Sequence, residues 1–122
     1  MRTMSPAPAT MREAVARSEL PELSVVIPTF NEKDNIAELV DRLDKTLAGV
    51  EWEAIFVDDN SPDGTSDVIR SIARQDRRVR CIHRIDRRGL SSACVEGILS
   101  SSAPFVAVMD ADLQHDEALL PR

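Results

Sequence analysis

The sequence predicts an α/β fold, a parallel sheet with helices on both faces. Three observations predict it. Four short runs of Val, Ile, Ala and Phe recur without polar alternation, as strands buried on both sides do. Between them, apolar residues return at helical spacing. The polar clusters stand directly after the apolar runs, where open α/β sheets bind ligands.

Taken in order, Ser24-Val25-Val26-Ile27 is the first strand, stopped by Pro28. Ile36, Leu39, Val40, Leu43 and Leu47 then mark a helix. Asn31, Glu32 and Asp34 supply its capping and N-terminal acidity, and Gly49 ends it. Ala54-Ile55-Phe56-Val57 is the second strand, and Ser61-Pro62-Asp63-Gly64 a turn by composition. Thr65 or Ser66 caps the second helix, whose apolar face is Val68, Ile69, Ile72 and Ala73. Val79 to Ile85 is the third strand. Gly89 opens a third helix bearing Leu90, Ala93, Cys94, Val95, Ile98 and Leu99, and Phe105 to Met109 is the fourth strand. A strand order of 3-2-1-4 brings the polar strand ends to one cleft.

Residues 1–22, with Pro6, Pro8 and scattered charges, read as a flexible leader without the apolar core of a signal peptide. Residues 23–122 form the single domain that 122 residues allow. The chain stops at Arg122, just past the fourth strand, and reads as a domain truncated after its Asp-x-Asp motif. The net charge of −6 argues against a general nucleic-acid binder, which needs a basic face. No run reaches the ~18 apolar residues that span a bilayer. Cys81 and Cys94 lack metal-site spacing and read as reduced, buried small hydrophobes, which points weakly to a reducing cytosol.

Three strand ends carry the chemistry: Pro28 to Glu32, Asp58 to Ser61, and Asp110-Ala111-Asp112. Two carboxylates one residue apart after a buried strand can share a divalent cation, and Gln114 adds a neutral oxygen. Such a pair also serves simply as a helix cap. Asp58 and Asp59 repel each other unless solvated or engaged by donors, and a base N–H or a ribose diol is such a donor. Acidic residues also end strands for purely structural reasons. Arg84, Arg87 and Arg88 before Gly89 suit an anion at a helix N-terminus, or a solvated basic loop. His83 reads as structural, and His115 as orienting the loop after the Asp pair.

Four blocks, VVIPTFNE, VDDNSPDGT, RRGLSSACVEG and MDADLQH, follow one another in this order. Together they resemble the family 2 glycosyltransferases of the dolichol-phosphate mannose synthase type, over Leu23 to Arg122. The resemblance implies the GT-A form of the Rossmann-like sheet. It implies inverting transfer of mannose from GDP-mannose to a dolichyl or polyprenyl phosphate, with Mg2+ or Mn2+, at the cytosolic face of a membrane. Carried over by position, Pro28, Phe30, Glu32, Val57 and Asp59 contact the donor. Asp110, Ala111 and Asp112 lie at its diphosphate, and Asp112 and Gln114 ligate the metal with Asp110 close by.

Two departures stand out. Phe30 occupies a position where Tyr is common, and the half of the family's sequence that carries acceptor-phosphate arginines is absent. A lipid phosphate is already anionic and needs no general base, unlike a sugar hydroxyl. Two alternatives stay open: a UDP-sugar donor, such as UDP-glucose, with undecaprenyl phosphate, or a truncated nucleotide-binding fragment without catalysis.

Overall fold

The computed structural model describes residues 20–85 and 89–111. Strand β1 (Leu23–Thr29) leads through a 3-10 turn (Lys33–Asn35) into helix α1 (Ile36–Thr46). Strand β2 (Trp52–Asp58), helix α2 (Thr65–Gln75) and strand β3 (Val79–His83) follow, then helix α3 (Leu90–Ser100) and strand β4 (Phe105–Val108). All pairings are parallel and the order is β3-β2-β1-β4, as the alternation predicts. All four carboxyl ends therefore lie along one edge of the sheet.

Strand periodicity divides the core in two. Val25, Ile27, Ala54 and Phe56 point to one face, beneath Ile36, Leu39, Leu43 and Leu47 of the α1 segment and Ile69 of α2. Val26, Ile55 and Val57 point to the other, beneath Ala93 of α3. Helix α3 does not seat on its large residues as the sequence suggests. Leu90, Val95, Ile98 and Leu99 are exposed, Leu99 by 79%, and the helix buries Ala93 and Gly97 instead. A Cβ on Gly97 would stand 2.3 Å from Val26 Cγ1. Close approach of the helix to the sheet thus selects the small residues.

Local signals differ from expectation in four places. Strand β1 runs through Pro28 to Thr29, with Pro28 in register with Val57 of β2. Val26 accepts from the Met109 N–H on the β4 side. Pro28, two residues on, therefore turns its missing donor to that side, where the ladder has ended at Val26 and Val108. No side chain caps α1, whose N-cap is Asn35. Gly64, at φ +91°, is the N-cap of α2, and Asp63 rather than Thr65 or Ser66 accepts the Thr65 N–H there, at 3.0 Å. Strand β3 ends at His83, two residues short of Ile85. Cys81 and Cys94 are free thiols, only half-buried, and burial pushes the Cys81 thiol upward.

Candidate functional site

The site grows from the ends of β1 and β2. Asp58 is fully buried, and its carboxylate accepts from Thr29 Oγ1 (2.8 Å), Ser61 N–H (3.0 Å) and Ser61 Oγ (2.6 Å). The donors that relieve two adjacent carboxylates thus come from the protein, and Asp58 holds its own loop together.

Side chains of the β2–α2 loop also bind three successive amides after β1. Asn31 N–H donates to Ser61 Oγ at 2.9 Å, Glu32 N–H to Thr65 Oγ1 at 3.0 Å, and Lys33 N–H to Asp63 Oδ2 at 3.2 Å. Asn31 and Asn60 take left-handed φ of 58° and 57°, a conformation Asn tolerates better than most residues. The Thr65 hydroxyl, with lesser help from the Lys33 and Thr65 amides and the Lys33 charge, holds the Asp63 carboxyl below the usual carboxylate range. The SPDGT block is therefore a clamp on the segment that carries Phe30 and Glu32. His83 supports the same loop: Arg70 donates to its Nδ1, leaving Nε2 to donate to Asn60 Oδ1 at 3.0 Å.

Phe30, just past the end of β1, is 42% exposed. Glu32 is half-buried and accepts from Asn35 Nδ2 at 2.8 Å. Pro28 is half-buried between the ends of β2 and β4. Val57 is fully buried in the α3-side core, so its side chain shapes the floor and touches no ligand.

Asp59 carries the next layer. Its N–H donates to Thr29 O at 3.1 Å, and its carboxylate is forked by Arg84, Nε to Oδ1 at 2.6 Å and Nη2 to Oδ2 at 3.0 Å. Arg84 is 4% exposed. It faces no open anion site, contrary to the reading of the basic stretch, while Arg87 and Arg88 lie outside the described residues. The Asp59 hydrogen bond, followed by its charge and by Glu96, raises the Arg84 pKa further.

On the other side of β1, Met109 N–H donates to Val26 O at 3.0 Å, after which β4 leaves the ladder. Asp110 follows, exposed, and Ala111 is buried at 2% exposure. Strand order reverses between β1 and β4, so Pro28 to Phe30 and Asp110 to Ala111 lie at neighbouring strand ends, at the switch point where open α/β sheets bind ligands. Asp112, Gln114 and His115 lie outside the described residues. Among the described residues no three His, Cys, Asp or Glu side chains gather into a metal cluster. An exposed carboxylate at an open strand end nonetheless suits a hard, oxygen-preferring cation.

The family model described as glycosyl transferase family 2 matches residues 24–122. A dolichol-phosphate mannosyltransferase of Pyrococcus furiosus is 41% identical over 101 residues, covering 83% of this chain and 28% of that protein. One of Saccharomyces cerevisiae is 41% identical over 107 residues, 83% of this chain and 39% of that protein. The chain therefore spans well under half the length of these curated relatives. A mannosyltransferase from Pyrobaculum calidifontis in complex with GDP-Man and Mn2+ superimposes with a TM-score of 0.66 at 24% identity, over 87% of this chain and 35% of that one. Glucosyl-3-phosphoglycerate synthase from Mycobacterium tuberculosis, in complex with Mn2+, UDP and glucosyl-3-phosphoglycerate, does so with 0.58 at 26%, over 90% and 40%. Both share the fold.

Proposed function

The chain belongs to glycosyltransferase family 2, and from that premise we propose that it forms the nucleotide-sugar-binding part of an inverting mannosyltransferase. The donor is GDP-mannose, and the acceptor a dolichyl or polyprenyl phosphate at the cytosolic face of a membrane. The observation that carries this reading is the switch in strand order between β1 and β4, with Phe30 and Asp59 after β1 and β2 on one side and Asp110 after β4 on the other. The relatives named above as dolichol-phosphate mannosyltransferases support the donor and acceptor.

In this reading Phe30 packs on the base, Asp59 accepts a hydrogen bond from the nucleotide, and Pro28 and the Val57 main chain line the floor. Glu32 completes the donor side. Asp110, Ala111 and Asp112 meet the diphosphate. Asp112 and Gln114, with Asp110 nearby, would hold a Mg2+ or Mn2+ ion, which would supply positive charge to offset that of the departing diphosphate. The clamped loops hold Phe30, Glu32 and Asp59 in place before the donor arrives, so little reorganisation of that side is needed. An acceptor phosphate attacks the anomeric carbon without a base, since it is ionised at neutral pH. No helix among the described residues is long and apolar enough to cross a membrane.

Two or three protein oxygens are too few for an octahedral ion, so metal and nucleotide bind as partners. Calorimetry with GDP, with and without Mn2+, tests this directly. Asp112→Asn removes one charge at nearly constant shape and abolishes the metal dependence, a coupling of about 1–3 kcal/mol. Metal-dependent affinity that survives in Asp112→Asn rejects the assignment. Tighter binding of UDP than GDP replaces the donor with a UDP-sugar.

A further inference from the structure

We infer that Arg84 is the positioning residue of the nucleotide site: it fixes Asp59 against helix α3 and leaves that carboxylate one acceptor position, on Oδ1, for the ligand. This rests on the reading of Asp59 as a nucleotide contact.

A guanidinium has five N–H donors, and all five of Arg84 are accounted for. Nε donates to Asp59 Oδ1 (2.6 Å). Nη2 donates to Asp59 Oδ2 (3.0 Å) and Gly89 O (3.1 Å). Nη1 donates to Ser92 Oγ (2.9 Å) and Glu96 Oε1 (3.4 Å). With no donor to spare and 4% exposure, Arg84 acts on a ligand through Asp59.

The carboxylate side completes the argument. Oδ2 receives Nη2 and also the Gly89 N–H at 3.1 Å, which fills its two lone pairs. Among the described residues, Oδ1 receives Nε alone. The Asp59 side chain keeps 13% of its surface open. One N–H or O–H of a nucleotide completes it, whereas a pair of adjacent donors, such as the N1–H and 2-amino group of guanine, finds one acceptor for two hydrogens. The same fork ties β2 and the segment after β3 to the N-cap and first two turns of α3, through Gly89, Ser92 and Glu96. Site geometry and helix position therefore move together.

Lysine keeps the charge but loses the planar fork, so Arg84→Lys isolates geometry. Calorimetry on the 122-residue chain with GDP and Mn2+ provides the test, with circular dichroism reporting folding. Arg84→Lys and Asp59→Asn each weaken binding by roughly tenfold, and the double variant falls no further, because both remove one hydrogen bond to the ligand. Losses that multiply in the double variant overturn the proposal, since Arg84 then acts independently of Asp59. Inosine diphosphate, which lacks the 2-amino group, pays the same penalty as GDP for Asp59→Asn. A distinctly larger penalty for GDP overturns the single-acceptor assignment. Should Arg84→Lys fail to fold, Ser92→Ala removes one anchor of the fork and lowers affinity a few-fold; a folded Ser92→Ala of unchanged affinity rejects the coupling. Wild-type protein that binds neither nucleotide defeats the functional reading itself, a result distinct from all of these.

Discussion

The two neighbours of β1 are built differently. On one side β2 is buried along all seven residues, and its terminal loop is bound into the β1 loop by three amides and two carboxylates. On the other, β4 pairs over four residues and leaves Phe105, Val106 and Val108 exposed. Helix α3, beside it, exposes Leu90, Val95, Ile98 and Leu99. The β2 side is a closed core that holds the loops after β1 and β2 in place. The β4 side leads into the exposed Asp110, flanked by buried Met109 and Ala111, from a strand whose own outer residues are uncovered among the described residues. Burial thus fixes the loops after β1 and β2, whereas Asp110 follows a strand paired over only four residues.

Substitution of matching aromatics breaks this comparison most sharply. Phe56→Ala empties a fully buried site and costs about 3–5 kcal/mol in urea unfolding. Phe105→Ala, 69% exposed, stays within about 0.5 kcal/mol. Equal losses would make the two sides energetically alike.

Asp59→Ala comes next. It strands the nearly buried Arg84 charge, at about 3–5 kcal/mol by the precedent of broken buried pairs. The melting temperature therefore falls before any change in nucleotide affinity can be read, and Asp59→Asn is the cleaner probe of binding. An Asp59→Ala protein as stable as wild type would show the fork to be dispensable.

The smallest effect concerns acid. Asp63, through Thr65, and Asp76, through Arg78, are both held below the usual carboxylate range. Near their unfolded pKa of about 4, the unfolded chain binds more protons than the native one, so stability rises with pH there. Their contribution is present above that pH and is lost as pH falls through the lower native values. Asp63→Asn reduces the acid sensitivity of thermal unfolding slightly and leaves the midpoint less dependent on pH below about 4. An unchanged profile would remove Asp63 from the clamp's energetics.

Most of the architecture was legible in the chain itself. β-Branched runs spaced by helical periodicity determined strands, helices and their parallel order, because periodicity reports burial directly. The polar blocks fall at the carboxyl ends of the strands by the same logic. Phe30, Glu32 and Asp59 stand just past strand ends, as the alternation predicts, whereas Pro28 lies inside β1. Partnership was not legible: Arg84 read as one member of a basic stretch, and Asp58 and Asp59 as equivalent neighbours. Only the fold separated them, turning Asp58 inward to Thr29 and Ser61 and Asp59 toward Arg84 from 25 residues away. Gly97 likewise drew no notice beside Leu90 and Leu99, yet it is what α3 buries. Local pattern determines which residues a strand or helix hides. Which buried charge meets which, and how closely two backbones approach, depends on distances between elements far apart in the chain, and these only the tertiary structure decides.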